Sequence, residues 1–270
     1  MRITENNGIT LYSFESPAFE SVTTFVTTRH NQAHTASSRG NFNLGLYCGD
    51  DTEQVESNLQ QLSSALGISR KNLYYPRQVH GHKVLTIDNE FVALPYDKQL
   101  EALDGIDAII TNVPGVAIAV TTADCVPIIL YDKVRKAVAA IHAGWRGTAQ
   151  EIVRHTLQAM HDTYGTQYVD VQAGIGPCIG MEAYEVGDEV VDAMRNAGFD
   201  IDSIAIRKPQ SGKAHIDLAT ANADLMLRCG VDLMNIEVCG ICTFRNSNDF
   251  YSVRALGNET GRFLTGVMLP

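Results

Sequence analysis

The stretch from Ile106 to Tyr131 constrains this chain more than any other. It is the most apolar part of the sequence, yet Asp107, Pro114, Asp124 and Pro127 interrupt it. A membrane-spanning helix needs about 20 predominantly apolar residues and tolerates charge poorly. The stretch therefore reads as successive buried strands. A second apolar run, Lys136–Ile141, follows Val126–Tyr131 across Asp132-Lys133-Val134-Arg135, and the two read as a β-hairpin. A chain of 270 residues buries roughly 70–75% of its unfolded surface on folding. Its 45% apolar and 19% charged residues suit a globular protein and exclude a disordered one.

The rest of the chain supplies strands and helices in mixed order. Ile9–Phe14 and Val22–Thr28 carry strand signals, and a polar loop rich in Ser, Asn and Gly runs from His30 to Asn43. Val55, Leu59, Leu62 and Leu66 recur at helical spacing, so Asp51–Leu66 is a predicted helix stopped by Gly67. Tyr74–Ile141 reads as strand-dominated. Thr148 and Glu151 have the spacing of a capping box for a helix over Ala149–Tyr164. Further helices are predicted near Val186–Asn196 and Leu218–Cys229, with Arg207–Lys213 a surface loop between them. Short strands are predicted at Val169–Gly174, Ile236–Cys239, Phe250–Val253 and Phe263–Met268. No repeat and no linker divides the chain. The expectation is one α+β or mixed α/β domain over residues 1–270, with a large, partly antiparallel sheet flanked by helices.

A net charge of −10 argues against nucleic acid or an anionic membrane as partner. It leaves room for a local basic pocket that takes one phosphate. Six cysteines, at 48, 125, 178, 229, 239 and 242, are far too few for a disulfide scaffold, and Met1–Thr10 shows no signal-peptide pattern. The expectation is a cytoplasmic monomer with free thiols.

The chemistry concentrates in Thr121–Thr148. A symmetric hairpin closing on Asp132–Arg135 sets Cys125 directly opposite His142, with Cβ atoms roughly 4.5–5.5 Å apart. Such a pair can share a metal ion or form a thiolate–imidazolium couple. It can equally be a small core cysteine beside a hydrogen-bonded core histidine. After His142 the chain reads Ala143-Gly144-Trp145-Arg146-Gly147-Thr148 and opens a helix. Two glycines, a helix start and Arg146 suggest a small-anion site, against the alternative of a tight turn with Arg146 in solvent. His80 and His82 flank Gly81 at the end of an apparent strand, and either could complete a metal site. His155 and His161 lack the spacing of a helical ligand pair and read as solvent-facing.

Other motifs are weak. Cys239-Gly240-Ile241-Cys242 has no second pair and no following helix, so its thiols read as structural. In Gly174-Ile175-Gly176-Pro177-Cys178-Ile179-Gly180 the third glycine is one place late and Pro177 breaks the helix start, so no dinucleotide loop is inferred.

Taken together, Asn43-Leu44-Gly45 with Gly49-Asp50-Asp51, Gln78-Val79-His80-Gly81, Thr122-Ala123-Asp124-Cys125, His142-Ala143-Gly144-Trp145-Arg146-Gly147, Gly176-Pro177-Cys178-Ile179-Gly180, Tyr184-Glu185-Val186, Phe250-Tyr251-Ser252-Val253-Arg254 and Thr260-Gly261-Arg262 resemble the YfiH-like family. Its members are also called laccase-domain or multi-copper polyphenol oxidoreductase-like proteins. One departure is Thr28-Arg29-His30-Asn31, where members often carry a Gly-Gly pair.

The resemblance implies a mononuclear metal site, usually zinc, held by His80, Cys125 and His142. Three protein ligands leave a fourth position open, the catalytic pattern. Copper is an alternative metal and polyphenol oxidation an alternative activity, but a laccase needs several coppers and only eight histidines are present. The resemblance further implies phosphorolysis of purine nucleosides, including methylthioadenosine, and deamination of adenosine. Asp124 and Glu185 are the acid/base candidates. Arg146, Arg39 and Asn43 are the candidates for holding phosphate and sugar. A rival reading makes Cys125 the nucleophile and His142 the base of a thiol hydrolase, by analogy with the similar fold of cysteine deamidase toxins and with relatives linked to peptidoglycan precursor editing. A third reading is a metal-dependent scaffold that binds a partner.

Overall fold

A computed structural model describes residues 1–31, 39–209 and 211–270. The mixed, partly antiparallel strands are shared between two six-stranded sheets. In spatial order the first holds Arg2–Asn6, Ile9–Ser13, Thr23–Asn31, Phe263–Met268, Ala117–Thr122 and Leu73–Tyr74. The second holds Ile236–Val238, Val171–Ile175, Val126–Asp132, Ala137–Ala143, Ala108–Thr111 and Val84–Ile87. A small third sheet joins Glu185–Val186, Ala214–Ile216 and Ala205–Arg207.

The two large sheets face each other. Ile118 and Val120 of the first meet Ile109, Ile129, Val138 and Ala140 of the second in one buried cluster. Because strand side chains alternate, the remaining residues of the same strands face outward. Ala117, Ala119 and Leu264 pack under Val55, Leu59 and Leu62 of the helix Thr52–Ala65. Ile128, Leu130, Ala139 and Ile141 pack under Val153, Leu157 and Met160 of the helix Ile152–Tyr164 and Leu225 of the helix Leu218–Cys229. The layers run helix, sheet, sheet, helix, which explains why the central strands are apolar on both faces.

Several local expectations are corrected. The hairpin pairs Asp132 with Ala137 and Pro127 with His142, so its register lies two residues from the symmetric one. Lys136 is the cause. It adopts a left-handed conformation (φ 51°) and joins the loop, while Asp132 Oδ1 accepts from the Val134 and Arg135 N–H groups at 2.9 and 3.0 Å. The helix over Ala149–Tyr164 is broken. A one-turn helix, Trp145–Ala149, comes first, Glu151 turns left-handed (φ 55°), and the long helix starts at Ile152. No capping box forms. Thr148 instead accepts from the Asn222 side chain, and Glu151 pairs with Arg154. Phe250–Val253 is not a strand. Ser252 caps a short helix, Val253–Leu256, by accepting from the Ala255 N–H. Two short helices, Asn89–Ala93 and Tyr96–Leu103, interrupt the segment read as strand-dominated.

Candidate metal centre

The chain crosses from the first sheet to the second between Thr122 and Val126, and Cys125 sits in that crossing. Asp124 makes the bend, with φ at 104°. It is held there from three sides. Its Oδ1 accepts from Thr243 Oγ1 at 2.7 Å, its Oδ2 from the Arg254 N–H at 2.8 Å, and its carbonyl from the Ile179 N–H at 2.9 Å. With Pro127 opposite His142, Cys125 lies diagonal to His142, not directly opposite it. A shift of two residues preserves the face, so the pair still meets.

His142 occupies the inter-sheet face of Ala137–Ala143, beyond Val138 and Ala140. Its Nδ1 lies 2.8 Å from Oδ1 of Asp107, which is fully buried. That bond turns Nε2 toward the site, as a carboxylate does for a metal-ligating imidazole. Asp107 also accepts from the N–H groups of Val79, His80 and Gly81 at 3.3, 2.9 and 2.7 Å. One carboxylate thus fixes both histidines. His80 itself is left-handed (φ 61°), the turn that brings it to Cys125 and His142. The donor atoms of His80, Cys125 and His142 all lie within 4.8 Å of one another. Among the described residues this is the one such cluster of three or more.

The two glycines after His142 serve this packing. A Cβ on Gly144 would stand 2.9 Å from the His80 ring and 3.1 Å from Cys125 Sγ, and one on Gly147 would stand 2.9 Å from the Gly81 carbonyl. They admit the His80 loop, where the sequence suggested a ligand.

Burial alone would raise the Cys125 pKa. The charge of His142 and hydrogen bonds from His142 and His80 outweigh it and bring the thiol down to about 6. Burial would lower His142, but the Cys125 thiolate and Asp107 lift it to about 9. Without metal the pair is a thiolate–imidazolium couple.

The triad forms one wall of a cavity of about 400 Å³. Tyr47, Gln78, Asp124, Tyr184, Arg254 and Arg262 line the rest, with neighbours. Arg254 donates to the Ala183 and Glu185 carbonyls and lies over the Tyr184 ring. Arg262 donates through Nη1 to the Thr260 and Gly261 carbonyls. Neither guanidinium has a carboxylate partner among the described residues.

The second-tier candidates fare differently. Both carboxylate oxygens of Asp124 are engaged, so it holds backbone. Glu185 lies outside the cavity lining and pairs with Lys213 at 3.1 Å. Asn43 is fully buried, donating to Asp50 and Cys48 and accepting from the Gly45 and Arg262 N–H groups. It shapes the rim loop. Arg39 lies against the Gly49 carbonyl and Glu259, outside the lining. Arg146 is exposed and stacks on Trp145, 4.2 Å from the ring centroid, also outside the lining. His82 bonds Gln150 and stacks on His155, so His80 and not His82 stands with Cys125 and His142. His155 and His161 are exposed. Asp107 was missed because only the tertiary fold brings it to His142. Arg254 and Arg262 lie in motifs that carried the resemblance, and that membership was the usable signal.

A domain of this architecture with a His-Cys-His centre defines a class, and the chain belongs to it. The family model described as multi-copper polyphenol oxidoreductase laccase matches residues 23–270. Among individual relatives, the chain is 41% identical over 255 residues to a purine nucleoside phosphorylase of Bacteroides thetaiotaomicron, covering 93% of both. It is 41% identical over 248 residues to adenosine deaminase RL5 from an unknown prokaryotic organism, covering 92% of this chain and 94% of that protein. The crystal structure of YlmD from Geobacillus stearothermophilus superposes with a TM-score of 0.89 at 29% identity, over 98% of this chain and 97% of that one.

Proposed function

We propose that this chain is a zinc-dependent purine nucleoside phosphorylase that also deaminates adenosine and accepts methylthioadenosine. The observation that carries it is one cavity with His80, Cys125 and His142 on one wall and two guanidiniums free of carboxylates, Arg254 and Arg262, on another. The donor set fits zinc: two imidazoles, one thiol already acidic, and a carboxylate behind His142. A zinc ion held there supplies Lewis acidity toward the purine or water.

The chain's own residues do the rest. Arg254 and Arg262 hold orthophosphate by charge-assisted hydrogen bonds. A phosphate oxygen bonds to the ribose C1′ as the glycosidic C–N bond breaks, and its electron pair leaves with the purine, which takes up a proton. In deamination, water adds at the purine C6 and ammonia leaves. Tyr47 and Tyr184 give the base aromatic surfaces to lie against. Asp124 is a positioning residue that ties the Cys125 bend to the Arg254 backbone.

Copper-based polyphenol oxidation needs several ions, whereas the described residues supply one cluster. The thiol-hydrolase reading is favoured by one observation, the acidic Cys125 beside a charged His142. One experiment separates these. The protein is purified without added metal, its metal content is measured, and adenosine is supplied with and without phosphate. Near-stoichiometric zinc, with adenine and ribose-1-phosphate formed only with phosphate, is the expected result. Inosine marks the deaminase. A metal-free protein that stays active until its thiol is alkylated overturns the zinc reading.

A further inference from the structure

Beside the metal centre lies a second cavity of about 370 Å³, and Tyr47 forms part of the wall of both. Its lining holds four tyrosines, 47, 74, 75 and 96, over an apolar floor of leucines, with Arg70, Lys71 and Glu56 at its edge. Three features mark it as built for a ligand.

The first is aromatic exposure. Tyr47 and Tyr96 are 53% and 63% exposed, unusual for rings of this size. The second is an unpartnered donor. Tyr75 is only 6% exposed, and its hydroxyl has no hydrogen-bond partner among the described residues. Buried hydroxyls are normally bonded. Tyr75 itself belongs to the wall of this cavity, beside Arg70, Glu56, Tyr47 and Tyr96. The third is charge. Arg70 is bound to Glu56 and to the Leu73 carbonyl, whereas Lys71 makes no ion pair among the described residues. The edge therefore carries one uncompensated cation.

We propose that this cavity is a second small-molecule site, separate from the metal centre, for a planar aromatic ligand that carries one anionic group. The rings stack on the tyrosines, an acceptor of the ligand takes the Tyr75 hydroxyl, and Lys71 faces the anion. None of these contacts depends on the activity assigned to the metal centre.

The test uses the zinc-loaded protein and two probes, naphthalene-2-carboxylate and the neutral 2-naphthylmethanol, titrated by calorimetry. One saturable site per chain is expected for the carboxylate, with the alcohol weaker by about tenfold. Lys71→Glu should weaken the carboxylate at least about fivefold and leave the alcohol unchanged. Tyr75→Phe should weaken the carboxylate at least about threefold, since it removes the donor. It should not lower Tm, because that hydroxyl bonds nothing in the free protein. The absence of saturable carboxylate binding overturns the proposal. So does carboxylate binding that survives both substitutions, or that disappears in Cys125→Ala, which would place the probe in the metal-side cavity.

Discussion

At the scale of single residues, the site depends on a thiol made acidic and on one carboxylate that holds two histidines. In metal-free protein, alkylation of Cys125 by iodoacetamide should rise with pH as the thiol loses its proton, half-maximally near about 6. Cys239, pushed up to about 11 by burial, should not react in that range. Stoichiometric zinc should suppress the Cys125 reaction, and mass spectrometry of the labelled peptide checks both points. Asp107→Asn replaces the acceptor of His142 Nδ1 and of three backbone N–H groups. Zinc affinity should drop by about 10–100-fold, read by competition with a chelator. Gly144→Ala should lower zinc binding too, because its Cβ has no room beside His80 and Cys125. Full zinc occupancy in Cys125→Ala or His142→Ala would refute the ligand assignment.

At the scale of elements, what could be read was local. The spacing of Val55, Leu59 and Leu62 did mark a helix, Thr52–Ala65, with Asp51 as its cap and not, as expected, its first residue. The register of the central hairpin could not be read, since it turns on whether Lys136 belongs to the strand or to the loop. Periodicity counts Lys136 into the strand, whereas the Asp132 side chain stabilises the longer turn. The face of Cys125 survived only because the error was even. This turn gives a stability prediction. A left-handed non-glycine costs about 1–2 kcal/mol, partly offset by the entropy glycine loses on folding. Lys136→Gly should therefore stabilise the protein by about 0.5–1 kcal/mol in urea denaturation, and Asp132→Ala should destabilise it by about 1–2 kcal/mol. The capping box at Thr148 and Glu151 failed for a related reason. A helical turn already runs over Trp145–Ala149, and Glu151 turns left-handed before the long helix begins, so Thr148 cannot serve as its cap.

At the scale of the molecule, the centre forms where the chain passes between its two sheets, and this explains which parts of the site were legible. Cys125 and His142 belong to one hairpin and could be paired from sequence. Asp107, Arg254 and Arg262 reach the site from the neighbouring strand edge and the C-terminal segment, so only the assembled layers show their roles. The two glycines and Arg146 next to His142 have the sequence pattern of an anion site, but Arg146 ends on Trp145 in solvent. Placing the proposed phosphate site at Arg262 and not at Arg146 has a measurable consequence. Arg262 is fixed by two carbonyls through a single nitrogen and has no acidic partner among the described residues. It adds positive potential to a cavity inside a chain of net charge −10. A hydrogen bond to a charged group contributes about 1.5–3 kcal/mol, and each 1.4 kcal/mol is about tenfold. Arg262→Ala should therefore raise the KM for phosphate in adenosine phosphorolysis by roughly 10–100-fold. Deamination needs water and no phosphate, so its rate at saturating adenosine should change by less than about threefold, whereas Arg146→Ala should leave both activities near wild type. Measuring both products from one adenosine reaction over a phosphate series separates the cases. Equal loss of inosine and adenine in Arg262→Ala would show a general role in the cavity, and a selective phosphate defect in Arg146→Ala would return the anion site to the helix start.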